Sequence, residues 1–211
     1  YGFNSSLNLD TSKVTNMSGM FKYNMSFNQP LNFNTSNTTN ISTMFQYCRN
    51  FNQPLNWDTS KVTNMNDIFT ANLNFNQDLS WNTSNVTNMS NLFSQCILFN
   101  EDIIRWDVGN VINMTNMFYG CKVFNQSLSS WNTINVKSLQ QMFYSTTSFN
   151  KPLYWNTSNV TNMSSMFKDS YFNQELSWNT SNVTNMSSMF SYSNRFNDEN
   201  HNNFFNSKIT F

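Results

Sequence analysis

Apolar residues recur along this chain at an interval too long for one helix or one strand. The Phe of an FN pair falls at Phe3, Phe27, Phe51, Phe75, Phe99, Phe124, Phe149, Phe172 and Phe196, in steps of 23 to 25 residues. A second Phe closes an MF-like pair at Phe21, Phe45, Phe69, Phe93, Phe118, Phe143, Phe167 and Phe190. Leu7, Leu31, Leu55, Leu79, Ile103, Leu128, Leu153 and Leu176 lie between them. Next comes a large apolar slot: Leu9, Phe33, Trp57, Trp81, Trp106, Trp131, Trp155 and Trp178. The unit reads F-N-Q-x-L-x-W-N/D-T-S-x-V-T-N-M-S-x-M-F-x-x-C/x, and eight copies fill residues 3–195. EDIIRW and QSLSSW each carry one extra residue before Trp, and KDSYF lacks one before Phe172. The rest of the frame is kept, as happens when core positions are fixed and loops absorb length.

A period of about 20–29 residues belongs to strand-containing coils rather than helical pairs. FNQPL and VTNM alternate apolar and polar residues, which suits short strands. S-x-M-F opens on a capping-type Ser and leaves room for about one helical turn. The predicted fold class is therefore a repeat solenoid, mainly β with short helical turns. It is a leucine-rich-repeat-like, right-handed coil of about eight repeats of 23–25 residues with parallel β-ladders, starting near 3, 27, 51, 75, 99, 124, 149 and 172. At a strand spacing of about 4.8 Å, eight coils make a rod roughly 40 Å long. Residues 1–195 form this domain, and the off-consensus stretch 196–211 reads as a C-terminal cap.

Stacking turns each column of equivalent residues into a ladder. Trp57, Trp81, Trp106, Trp131, Trp155 and Trp178 form the aromatic core ladder, since one coil alone cannot bury its apolar face. Asn16, Asn40, Asn64, Asn88, Asn113, Asn162 and Asn185, with Ser138 in the sixth coil, form a structural ladder whose amides are expected to bond neighbours above and below. The Thr-Ser pairs after Trp suit side-chain-to-backbone turns.

Composition sharpens this picture. Formal charge is zero and charged residues are only 10%, which leaves no electrostatic footprint for nucleic acid or an anionic membrane. Asn makes up roughly a fifth of the chain, far above its ordinary usage. With aromatics at 17% and regularly placed, the chain has the apolar mass to fold rather than to remain a polar low-complexity tract. No apolar run approaches the roughly 20 residues of a transmembrane helix, so no membrane insertion is expected.

FNQPLNWDTSKVTNMNDIF and NTSNVTNMSSMF resemble the repeats of the BspA-like surface proteins, in the variant catalogued as a mycoplasma-type domain of unknown function. That repeat usually carries one more residue before Trp, as only the fifth and sixth copies do here. The resemblance spans residues 3–195 and implies a leucine-rich-repeat-like solenoid in an extracellular, cell-surface or virion-surface setting. Adhesion or host interaction is its implied role.

Candidate chemistry is sparse. The single His, His201, stands beside Asp198 and Glu199 but has no second ligand type nearby, so it reads as a solvated loop residue. Glu101 and Asp102 fall in a length-variable bend, not across a cleft. With only 4 Gly, no phosphate-cradling loop is available. No enzyme, metal or cofactor is expected. Cys96 and Cys121 occupy equivalent slots in adjacent coils, with Cys48 two coils away and Ala71, Ser170 and Ser193 reading as the slot's other occupants. Buried free thiols are the favoured state, and a Cys96–Cys121 disulfide is the alternative. The frequent N-x-S/T triplets read mainly as turn and ladder asparagines. A Thr file (Thr15, Thr39, Thr63, Thr87, Thr161, Thr184), interrupted by Ile112 and Lys137, suits a glycan better than ice.

The expected function is a non-catalytic interaction module for protein or glycan partners. The candidate partner face is Lys13, Asn37, Lys61, Asn85, Asn110, Asn135, Asn159 and Asn182. The alternative is a building block of an appendage, fibre or virion decoration joined through solenoid ends. The first coil, an uncovered edge, is expected to be buried in the working assembly, with self-association one route.

Overall fold

The computed structural model describes residues 2–193. The predicted cap at 196–211 and His201 lie outside the described residues. The chain forms eight stacked coils, numbered in order, each opening at its FN Phe: coil 1 at Phe3, coil 2 at Phe27, coil 3 at Phe51, coil 4 at Phe75, coil 5 at Phe99, coil 6 at Phe124, coil 7 at Phe149 and coil 8 at Phe172.

The coils are joined by backbone hydrogen bonds, but these do not build the expected sheets. Parallel pairing is confined to seven single-residue bridges, running from Asn16↔Asn40 to Asn162↔Asn185. The extended stretch is cut off on both sides. Upstream, Val62 N–H closes a turn on the Thr59 carbonyl at 2.9 Å, and each coil repeats this closure. Downstream, a run of overlapping turns begins immediately. In coil 2, Met44 N–H bonds the Ile41 carbonyl at 3.3 Å, Gln46 N–H bonds Thr43 at 3.1 Å and Cys48 N–H bonds Phe45 at 2.9 Å. The intervening N–H groups point to the next coil: Thr43 to Asn66, Phe45 to Ile68 and Tyr47 to Thr70, at 2.9, 2.9 and 2.7 Å.

The mainly β, leucine-rich-repeat-like description is therefore overturned. Among the described residues there is no helix, no strand and no sheet. The reason is local. Thr43 and Tyr47 have φ of 56° and 61°, and every coil repeats these two left-handed positions, as at Asp67 and Ala71 or Asn91 and Gln95. A positive φ at the third residue of a turn belongs to the type II class and is incompatible with both a helix and a strand. The stretch read as a helical turn is thus a chain of tight turns, with half its donors bonded within the coil and half to the neighbouring coil.

Three aromatic files run through the interior. Consecutive FN rings, as Phe51 and Phe75, lie 6.3 Å apart, and consecutive MF rings, as Phe45 and Phe69, lie 5.8 Å apart. The two files interlock because Phe69 also stacks on Phe75 at 3.9 Å. Trp57 and Trp81 stack at 6.3 Å in the third file. From coil 2 to coil 7 the Phe of both files are fully buried. Each such burial is worth about 1.5–3 kcal/mol, with up to about 1.5 more from favourable ring geometry. No helix among the described residues is long and apolar enough to cross a membrane.

Candidate interaction faces

The Asn column predicted as a ladder is aligned by the seven bridges, yet its amides are used differently from the expectation. Asn88 Oδ1 accepts the N–H of Ser90 at 3.0 Å, Asn64 Oδ1 that of Asn66 at 3.2 Å, and Asn16, Asn40, Asn113, Asn162 and Asn185 do the same. Each is an Asx-type closure that starts the run of turns in its own coil. Within this column Asn162 Nδ2 alone also reaches a neighbouring coil, at Gln140 Oε1, whereas the Asn of FN forms an amide ladder from coil to coil. Asn28 Oδ1 accepts Asn52 N–H, Asn52 accepts Asn76 and Asn76 accepts Asn100, at 2.9, 2.9 and 2.8 Å. Gln53 and Gln77 add Nε2–H bonds to the same oxygens. The signal for this ladder was the unvarying FN pair itself, whose Asn has no reason to be constant unless its side chain is committed.

Trp57, Trp81, Trp106, Trp131, Trp155 and Trp178 stack, and each indole N–H donates to a carbonyl of the preceding coil. The acceptors are Leu31, Leu55, Leu79, Ile103, Leu128 and Leu153, at 2.9–3.4 Å. Threonines after Trp bond the other way: Thr59 and Thr83 hydroxyls donate to the Asn82 and Asp107 carbonyls of the following coil, at 2.9 and 2.8 Å. In the bends, Ser12 and Ser60 donate hydroxyl and N–H to Asp10 and Asp58, holding both exposed carboxyls below the usual range.

The three thiols are free and buried, so no Cys96–Cys121 disulfide is formed. Cys48, Cys96 and Cys121 donate S–H to the carbonyls of Phe21, Phe69 and Phe93 at 2.9–3.0 Å. Thr146 fills the same slot and donates to Phe118, and Ser193 donates to Phe167. Burial pushes the Cys48 thiol up to about 12 and those of Cys96 and Cys121 up as well. The slot's coil 3 occupant is Asn72, not Ala71; Ala71 sits at the left-handed position one residue earlier. Asn72 is fully buried, and neither its Nδ2 nor its Oδ1 has a hydrogen-bond partner.

The predicted partner face is largely a seam. Asn85, Asn110, Asn135, Asn159 and Asn182 donate Nδ2–H at 2.7–2.8 Å to the carbonyls of Ser60, Ser84, Gly109, Ile134 and Ser158 in the preceding coil. Asn37 does so to Ser12, and Lys61 donates to Asn37 Oδ1; Lys13, in coil 1, is exposed. The Thr file beside it is similarly engaged, with Thr39, Thr87, Thr161 and Thr184 hydroxyls donating to the carbonyls of Thr15, Thr63, Lys137 and Thr161. Where coil 5 carries its extra residue, a cleft of about 520 Å³ opens over Trp81 and Trp106, rimmed by Asp78, Glu101, Asp102 and Arg105. Among the described residues no group of three or more His, Cys, Asp or Glu is placed to hold a metal ion.

Variation between coils is concentrated elsewhere, in the corner that follows the second Phe. Equivalent positions there read Lys22, Gln46, Thr70, Ser94, Tyr119, Tyr144, Lys168 and Ser191, and the next position ranges from Tyr23 to Gly120 to Asp169. Ile97, Leu98 and Val123 follow the second Phe in coils 4 and 5 and are exposed by 38%, 48% and 41%. Tyr119 and Tyr144 stack at 4.9 Å, and Lys168 Nζ lies 5.5 Å from the Tyr144 ring and 5.8 Å from that of Tyr192. Lys122 Nζ reaches Ser145 Oγ at 2.8 Å, and Ser145 reaches Asp169 at 2.7 Å.

The repeat recognised in these coils is matched over residues 2–80, 79–154 and 128–210 by the family described as Mycoplasma protein of unknown function, DUF285. The chain belongs to the DUF285 family. The resemblance read from FNQPLNWDTSKVTNMNDIF is thereby confirmed at the level of family. No curated protein matches this DUF285 chain. No solved structure matches it either. The DUF285 description carries no activity, so the coil geometry is the ground for a functional reading.

Proposed function

We propose that this DUF285 chain is a non-catalytic interaction module, displayed outside a cell or on a virion, that engages a protein or glycan through the variable corner. One observation carries the reading: exposed side chains that repeat from coil to coil, as Asn85, Asn110 and Asn135, are bonded to neighbouring backbone, whereas the positions after the second Phe carry side chains as unlike as Lys22, Gln46, Thr70 and Tyr119. A surface that only holds the stack together has reason to repeat; a surface that matches an external partner has reason to vary. Exposed Ile97, Leu98 and Val123 and the stacked Tyr119 and Tyr144 supply apolar and aromatic side chains of the kind enriched at recognition sites. A formally neutral chain offers no attraction to nucleic acid.

The test is a binding screen against glycan and extracellular-protein arrays. The double variant Leu98→Lys/Val123→Lys and Tyr144→Ala should each lose at least tenfold in affinity for any ligand found, and Asn85→Ala should not. Ligands that ignore the corner variants but respond to Asn85→Ala would sink this reading.

A further inference from the structure

Charge is not spread evenly over this neutral chain. The corner segments, between the second Phe of one coil and the FN Phe of the next, carry Lys22, Arg49, Lys122 and Lys168 in coils 1, 2, 5 and 7. Against these stands one carboxylate, Asp169, which accepts from Ser145 Oγ at 2.7 Å. Asp67, just before the corner of coil 3, is already engaged by the side chains of Gln46, Asn66 and Thr70. The stretch from FN to Trp has the opposite balance, with Asp78, Glu101, Asp102 and Glu175 against Arg105 and Lys151. The corner is thus the cationic side of the stack. Lys122 Nζ is held there by the Ser145 carbonyl and hydroxyl, at 3.1 and 2.8 Å, rather than by an acid.

Arg49, Leu73, Ile97 and Lys122 hold the same place, two residues before the FN Phe, in coils 2 to 5. Bonds between coils keep this file in register: Asn74 N–H donates to the Arg49 carbonyl and Thr147 Oγ1 to the Lys122 carbonyl, both at 3.3 Å. In the adjoining file Asn74 Nδ2 donates to Asn50 Oδ1 at 3.3 Å, so neighbouring side chains meet, and Leu98 and Val123 continue that file in coils 4 and 5. Cations therefore stand at both ends of a short apolar run. At about 4.8 Å per coil, the three steps from Arg49 to Lys122 span roughly 14 Å. An extended peptide covers that distance in four residues at about 3.4 Å each, with i, i+2 and i+4 on one face.

We propose that this corner takes an extended segment of a partner protein in which two carboxylates, four residues apart, bracket an apolar side chain. The carboxylates meet Arg49 and Lys122, and the apolar side chain lies against Leu73 and Ile97, with Leu98 and Val123 beside it. The inference rests on the corner being the binding face and names what that face binds. A glycan is the poorer fit. Sugar rings stack on open aromatic faces, whereas Tyr144 is covered by Tyr119 of coil 5 at 4.9 Å and by Lys168 Nζ of coil 7 at 5.5 Å. Nucleic acid fits no better, because four cations over seven coils are too sparse for a backbone with a charge about every 1.7 Å.

The experiment selects a displayed library of random peptides on the full chain and measures synthetic copies of the winners by fluorescence anisotropy. Asp or Glu should flank Leu, Ile or Phe at two-residue spacing in those winners. Arg49→Glu/Lys122→Glu should weaken them at least tenfold and, on reselection, favour peptides flanked by Lys or Arg. Ile97→Ser should also weaken them at least tenfold, and Asn85→Ala should not. All of these side chains are exposed, so tryptophan fluorescence should stay native in each variant. A library without binders overturns the proposal, as do winners whose charge pattern survives Arg49→Glu/Lys122→Glu. So does a heparin fragment or an oligonucleotide that binds more tightly than the peptides and tolerates Ile97→Ser. A ligand lost with Leu98→Lys/Val123→Lys but indifferent to Arg49→Glu/Lys122→Glu overturns this proposal and leaves the corner as the binding face. Peptides indifferent to every corner variant overturn both.

Discussion

The indole N–H of Trp81 donates to the carbonyl of Leu55, one coil back, at 3.0 Å, while the Trp81 ring stacks on Trp57 at 6.3 Å. One side chain thus supplies both apolar burial and a hydrogen bond in a direction that no backbone group in that file covers. Coil 2 lacks the bond: Phe33 occupies the slot, and the Leu7 carbonyl receives no donor from the described residues. Trp81→Phe should cost about 1–3 kcal/mol, because a buried acceptor loses its partner. Phe33→Trp should be neutral or gain about 1 kcal/mol. Denaturant midpoints at unchanged slope would establish both.

Asn72 is the misfit of the thiol slot. It is fully buried with neither end of its amide bonded, and it lies between Cys48 and Cys96 in the file, where each S–H reaches a Phe carbonyl. Asn72→Thr, copying Thr146, should raise stability by about 1–3 kcal/mol by ending the unmet desolvation of the amide. A fall in the unfolding midpoint would show that the amide has a partner, such as an internal water.

Thr43 is a β-branched residue at φ 56°, where Gly19 stands one coil earlier at φ 65°. Left-handed placement of a non-Gly residue costs on the order of 1–2 kcal/mol. Thr43→Gly should therefore stabilise the chain by about 1 kcal/mol despite the entropy that Gly adds to the unfolded state, and Gly19→Thr should cost a similar amount. Thermal melts of the two variants should move in opposite directions.

The buried thiols should make stability fall at alkaline pH. A group whose pKa is raised on folding contributes fully below its unfolded pKa and progressively less above it. Here that window opens at the ordinary thiol value of 9.0 and, for Cys48, extends to about 12. Each buried thiol should then cost up to about 1.4 kcal/mol per pH unit. A chain with Ser at Cys48, Cys96 and Cys121, as Ser193 already stands in coil 8, should lose visibly less stability between pH 8 and pH 10.5 than the native chain. Parallel losses would rule out the thiols as the cause.

Much of the interior was legible from spacing alone. The Phe, Leu, Trp, Val and Met columns that recur every 23–25 residues are the buried ones, because a recurring apolar residue in a stacked repeat has nowhere else to go. The backbone between them was not legible. V-T-N-M has the alternation of a strand, but alternation is equally produced by single extended residues between turns. Thr43, Tyr47 and Gln141 give no hint of a left-handed φ, a conformation ordinarily signalled by Gly or Asn. Counting the thiol slot back from Cys96 by a full period leads to Asn72; the smaller neighbour Ala71 drew the reading one residue astray. The hydrogen bonding of the candidate partner face was hidden for a related reason. Exposed asparagines look available in a sequence, and only the bond from Asn85 Nδ2 to the Ser60 carbonyl shows that they are engaged.

The bonds between coils have a mechanical reading. Because they join one coil to the next, tension along the stack would load these contacts in series. Each coil that lets go frees about 24 residues, or roughly 80 Å of contour. Under load the protein would lengthen in even steps, shedding force one turn at a time while the remaining turns keep their grip, which is the behaviour of an extensible tether.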